Sequence, residues 1–277
     1  MTKAISLIYA YWPNQPFGAT WCDLPWALRD AGLPKRLSDA GHQVLETFLM
    51  AEDPYPEELA SGFELAGQIA ADVAKAKAEG ELAIILCGSC TIAAVGAISG
   101  LNDPTTAILW CDAHPDLNTP ETTTSGLLEG MALATATGQA WQAMASNYAG
   151  LKAPASLANA TLFGAREIDD AEHTSIIAHQ ALVTANLPSA LQRLTSTATT
   201  YVHLDMDVHD AMTVRTNAHA LKDGPSVETI RDLLEQVPRI DAMAVTGLDP
   251  KSEDNEKACA IAIDHILAVA AKHAKKS

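Results

Sequence analysis

The chain has 277 residues, 48% of them apolar, which suffices for one large core and argues against a disordered segment. A formal net charge of −16 argues against nucleic acid or an anionic membrane as partner. No apolar run has the length of a transmembrane helix and no secretory leader is legible. The five cysteines (Cys22, Cys87, Cys90, Cys111 and Cys259) are an odd count, so free thiols in a cytoplasm are expected.

Strand-like and helix-like runs then alternate. Residues 4–9 read as a strand, 24–40 as a helix stopped by Gly41, and 43–48 as a second strand. An Ala-rich periodic helix is expected over 56–79, closed by Gly80, before a strand at 82–86 and the turn Cys87-Gly-Ser-Cys90. Small residues over 91–100 suggest a helix packed closely on a sheet. An apolar strand around 108–111 leads into the polar loop 118–125 and a helix over 128–144. Residues 161–164 form a strand feeding 166–172. A helix near 189–194 comes before the strand 201–207, followed by a helix at 226–236, a strand at 241–248 and a final helix over 253–274. This order implies an α/β fold of three αβα layers: a mostly parallel sheet with helices on both faces, in one domain spanning 1–277. Ligands of such folds gather beyond the carboxyl ends of the strands.

The strand at 108–111 runs straight into Asp112-Ala-His-Pro-Asp116. Asp112, His114 and Asp116 stand at alternate positions, which in extended backbone point one way. The strand at 201–207 ends similarly, with Asp205 and Asp207 on one face. Five ligands, four of them carboxylates, suit two hard divalent ions better than one structural zinc.

The segment Asp112-Ala-His-Pro-Asp-Leu-Asn-Thr-Pro-Glu-Thr-Thr-Thr-Ser-Gly126 resembles the signature of the arginase (ureohydrolase) family, and Asp205-Met-Asp207 followed by Asp210 resembles its second signature. The likeness extends from the Gly18 region to the final helix. It implies two Mn2+ per chain, with other divalent metals as alternatives, hydrolysis of a non-peptide C–N bond, and trimers or hexamers. Asp112, His114, Asp116, Asp205 and Asp207 are the ligands it implies. The sixth lies in a Gly-Asp-His-Ser turn, which here reads Gly88-Ser-Cys-Thr91, so Cys90 stands where the family has histidine. A thiolate there gives five anionic ligands for two dications, and a less acidic bound water.

Two more departures lie at the reacting end. The family's catalytic histidine sits in a Leu-His-Gly triplet; this chain has Leu128-Glu129-Gly130, which makes Glu129 the candidate proton carrier beside Asp116. The glutamate with which arginases pair the guanidinium corresponds to Gly247, so that bidentate partner is missing. The opposite end matches the family: Asn118, Thr123 and Ser125 toward the substrate α-carboxylate, Asp169 and Glu172 toward the α-amino group, with Gly130 a further substrate-binding position. The resulting expectation is a cytoplasmic amidino hydrolase for an arginine-like amino acid, with N-hydroxy-L-arginine the substrate that suits a pocket without the acidic partner. A cysteine at this ligand position is also similar to N-hydroxyarginine hydrolases. An arginase or formiminoglutamase relative with another substrate, and a degenerate member keeping only the fold, are the alternatives.

Overall fold

Apolar runs of four to seven residues, rich in Ile, Leu, Val and Ala, supply seven strands of one eight-stranded parallel sheet; the eighth has three residues. The computed structural model describes residues 4–13, 20–51, 58–194 and 199–274. The Gly18 region and the expected helix start at Pro56 lie outside the described residues. The strands are β1 (Ile5–Tyr11), β2 (Val44–Met50), β3 (Leu82–Cys87), β4 (Ala107–Cys111), β5 (Ala160–Phe163), β6 (Leu182–Thr184), β7 (Thr200–Asp205) and β8 (Ala242–Thr246). They lie in the order β2-β1-β3-β8-β7-β4-β5-β6. Every residue of β3, β4, β7 and β8 is buried, as a parallel sheet covered on both faces requires.

Helices α3 (Glu58–Glu79), α4 (Cys90–Leu101), α5 (Ala132–Ala136), α6 (Gln142–Asn147) and α7 (Asp170–His179) share one hydrophobic layer. On the other face lie α1 (Leu24–Asp30), α2 (Leu33–Asp39), α8 (Leu187–Leu194), α9 (Val227–Gln236) and α10 (Asn255–Ala274). The αβα arrangement is therefore as the sequence implied. Among the described residues no helix is long and apolar enough to cross a membrane.

Local expectations needed adjusting. The helix over 24–40 is two helices, because Gly32 turns the chain at φ +91°. The helix over 128–144 opens as a 3-10 turn, Glu129–Met131, and is interrupted between α5 and α6, where Gly138 has φ +76°. The small residues of α4 serve helix-on-helix packing: a Cβ on Gly96 would lie 2.7 Å from Ile69 of α3. Helix α7 continues to His179, well beyond the run at 166–172, and leads into β6, a strand too short to announce itself.

Candidate metal centre

The chain leaves β3 for β4 across two positions that β7 and β8 fill later, so the carboxyl ends of four adjacent strands (β3, β8, β7, β4) form one rim. Register brings the ligands level. Cys111 pairs with Leu204, so Asp112 and Asp205 follow side by side, and Asp205 pairs with Thr246 of β8. At the end of β3, Ser89 caps α4 by accepting from the Ile92 amide at 3.2 Å, which sets Cys90 in the first turn. The loop after β7 is pinned by Arg166, whose guanidinium donates to the carbonyls of Asp207, Val208 and His209.

These elements bring donor atoms to the spacing of a coordination shell. His114 Nδ1 lies 3.3 Å from Asp112 Oδ1 and 3.4 Å from Asp207 Oδ2, while Cys90 Sγ lies 3.2 Å from Asp205 Oδ2. Adjacent ligands of an octahedral ion with bonds near 2.1 Å stand roughly 3 Å apart, so both groups fit divalent ions. On its far side His114 Nε2 is 3.2 Å from the Glu167 carboxylate, the outer partner that metal-ligating imidazoles commonly have. Asp116 is buried and lines the same cavity, but its φ of +52° puts it in a loop rather than on extended backbone. The extended backbone ends at Cys111 and at Asp205, so alternation along a strand does not deliver these groups. Bends carry Asp112 and His114, a left-handed residue places Asp116, and Asp207 lies in the 3-10 turn Met206–Val208 rather than on the strand face with Asp205.

Without a cation this cluster is electrostatically strained. Burial, and then the charge of Asp207, push Asp112 up to about 7; Asp116 and Asp205 rise well above the carboxylate range, through burial and then their acidic neighbours. Burial works against protonation of His114, but hydrogen bonds to Asp112 and Asp207 outweigh it and lift the imidazole to about 12. Burial also raises Cys90 well above the usual thiol value, with Asp205 adding to it.

These shifts set the sign of a pH effect. Metal-free, the folded chain keeps protons on Asp112 between its ordinary 3.8 and about 7, and on His114 between 6.5 and about 12, that the unfolded chain has released. Its stability falls as pH rises through these windows, whereas metal binding grows as ligands lose protons. Asp207 is shifted below its ordinary value and acts with the opposite sign only in more acidic solution. The rise in Tm produced by Mn2+ should therefore grow from pH 5 to pH 8. Thermal unfolding with and without metal checks this; an increment constant or shrinking over that range would contradict it.

The centre floors a cavity of about 240 Å³. Asn118, Ser125, Gly130, Asp169 and Glu172 line it on one side, and Glu129, Trp21, His219, Asn217 and Gly247 also border it. Asn118 Nδ2 donates to Asp169 Oδ2 at 2.9 Å. Glu172 is committed to backbone, accepting from the amides of Leu117 and Asp169 at 2.9 Å each. Thr123 stands behind Ser125, 3.3 Å from its hydroxyl, and does not border the cavity. Glu129 Oε2 accepts from Ser89 Oγ at 2.9 Å and from the Thr91 amide at 3.1 Å, across the first turn of α4.

Gly247 has φ +66°, and a Cβ there would fall 1.8 Å from Asp205 Oδ1. A side chain at this position would therefore require Asp205 to shift, in keeping with the glycine found where arginases carry an acid. Sequence reasoning passed over His203, Thr246, Asn217, Glu167, Trp21 and His219. His203 was open to the rule that found Asp205, since it lies two residues earlier on the same strand face. The others come from loops and strand ends with no motif of their own.

The Arginase family profile matches residues 34–271, and the chain belongs to that family. It is 27% identical to N(omega)-hydroxy-L-arginine amidinohydrolase of Streptomyces lavendulae over 90% of this chain and 91% of that one. It is 35% identical to arginase-1 of Oryctolagus cuniculus over 47% of this chain and 43% of the rabbit protein, so the match spans less than half the mammalian relative's length. The crystal structure of arginase from Bacillus cereus superposes with a TM-score of 0.87 over 96% of this chain and 98% of that one, at 22% identity, and shares the fold.

Proposed function

We propose that this arginase-family protein is a binuclear-metal hydrolase that cleaves the C–N bond between a guanidine-type carbon and the side chain of an arginine-like α-amino acid, with N-hydroxy-L-arginine as the substrate it suits best. The observation that carries the substrate is Gly247 on the cavity wall, a residue with no carboxylate to pair a charged guanidinium and one whose added Cβ would fall 1.8 Å from Asp205 Oδ1. N-hydroxylation lowers the basicity of the guanidine, so the absent acid matters less. The likeness along nearly the whole chain to an amidinohydrolase named for that compound supports the same choice.

Cys90, Asp112, His114, Asp116, Asp205 and Asp207 would hold the two ions, with the carboxylate-rich set favouring Mn2+. When bound, the ions supply Lewis acidity toward the guanidine-type carbon and lower the pKa of water at the site. The chain's own groups orient the substrate. Asn118 retains a second amide N–H beside the one given to Asp169, and with the exposed hydroxyl of Ser125 it meets the α-carboxylate, with Thr123 and Gly130 holding that loop. Asp169 meets the α-amino group, and Glu172 fixes Asp169 through its amide. Glu129, held by Ser89 and Thr91, takes the proton that water releases and passes it to the leaving amine as the C–N bond breaks.

A small-molecule amino acid is the expected partner, with a cytoplasmic homo-oligomer, trimer or hexamer, as the working assembly. Release of hydroxyurea from N-hydroxy-L-arginine by Mn2+-loaded protein tests the reading. Loaded protein that releases neither hydroxyurea nor urea would leave only the family fold.

A further inference from the structure

Asp205 is fixed from below as well as from the rim. Its Oδ1 accepts from the Asp207 amide at 2.8 Å, and its Oδ2 accepts from Thr246 Oγ1 at 3.1 Å, on the same oxygen that Cys90 approaches. Behind Thr246 lies His203, whose Nε2 is 3.1 Å from the threonine hydroxyl. His203 Nδ1 in turn is 2.8 Å from the Tyr201 hydroxyl. The His203 ring is completely buried and stacks on Trp110 with centroids 3.7 Å apart and planes 5° off parallel.

The polarity of this chain follows from the donor inventory. Thr246 Oγ1 donates to Asp205 Oδ2, as it must wherever that carboxylate is a ligand and can only accept. A hydroxyl has one proton, so Thr246 must accept from His203 Nε2–H. A neutral imidazole protonated on Nε2 leaves Nδ1 bare, so Nδ1 accepts from Tyr201. Each donor is satisfied only in this order, and consecutive hydrogen bonds in a buried chain polarise one another. The arrangement also explains why His203 is no ligand, although its imidazole lies within 4.8 Å of Cys90 Sγ and an Asp205 oxygen. Both ring nitrogens are taken, and the Thr246 hydroxyl stands between the ring and Asp205.

We infer that Tyr201, His203 and Thr246 form a one-way hydrogen-bond relay that positions Asp205 and draws off part of its negative charge, offsetting the thiolate that Cys90 brings to the same oxygen. All three are positioning residues. The relay rests on the metal-centre reading above, since its purpose is to hold a ligand in a site with one anion more than the family pattern.

The test combines Mn2+ calorimetry on Thr246→Val and Thr246→Ser with 15N NMR of histidine-labelled wild type, metal-free and loaded with diamagnetic Zn2+. Thr246→Val keeps the shape and loses the hydroxyl. It should weaken one of the two ions by roughly 10- to 100-fold, the usual cost of losing an outer hydrogen-bond partner, and Thr246→Ser should restore it. The His203 resonances should report a protonated Nε2 and a bare Nδ1 in both wild-type states. Wild-type affinity in folded Thr246→Val, an Nδ1–H tautomer, or a Zn2+-induced shift marking His203 as a direct ligand would each overturn the relay. Wild type that binds no ion at all would instead sink the metal-centre reading. The tautomer in metal-free protein then decides the relay alone.

Discussion

Glutamate placed at Gly247 should abolish metal loading rather than convert the pocket to arginine. Alignment alone would suggest the opposite, because that substitution restores the residue arginases use. The local geometry overrides it. The position adopts φ +66°, a left-handed conformation that costs a residue with a side chain about 1–2 kcal/mol. The larger cost is the collision of the new Cβ with Asp205 Oδ1, 1.8 Å away. Asp205 resists swinging clear, because the Asp207 amide holds its Oδ1 and the Thr246 hydroxyl its Oδ2. Displacing a direct ligand exceeds the roughly 10- to 100-fold loss that follows removal of an outer partner. Gly247→Ala should show most of the defect, since the first carbon already collides. Elemental analysis and arginine turnover check both variants; two ions in Gly247→Glu with improved arginine hydrolysis would overturn the steric account.

The second large effect is the order of substrates. N-hydroxy-L-arginine should be hydrolysed with higher kcat/KM than L-arginine, and agmatine should be the poorest of the three. A hydrogen bond to a charged group contributes about 1.5–3 kcal/mol, so a pocket without the acid gives up roughly ten- to a hundredfold on a plain guanidinium. Agmatine lacks the α-carboxylate that Asn118 and Ser125 would hold. Steady-state assays on Mn2+-loaded protein decide the order. Agmatine turning over best would refute the assignment of the carboxylate end, and arginine turning over best would reveal another acid in place of the missing one.

The sheet was readable because a parallel sheet buried on both faces writes its strands as near-continuous apolar runs, as in Leu82–Cys87 and Ala107–Cys111. Beta-strand β6 escaped because its three residues are half exposed and carry no such run. The apolar spacing over 24–40 continues across Gly32, but the left-handed φ of that glycine and Pro34, which has no N–H to carry the first helix on, break it into two. In the site, Asp112, His114, Asp205 and Asp207 announced themselves by following apolar strands. Glu129 was found by resemblance, but its attachment to Ser89 and Thr91 depends on the end of β3 meeting a loop 40 residues further on. Thr246 and Asn217 are ordinary polar residues in sequence. They acquire meaning only when β7 and β8 pair and the loop after β7 folds back, Asn217 lying 3.4 Å from Asp207 and 2.8 Å from the Gly247 carbonyl.

Metal stoichiometry tests the central claim most directly. Protein equilibrated with excess Mn2+ and freed of unbound ion should carry two ions per chain by elemental analysis. One ion or fewer per chain would contradict the binuclear centre.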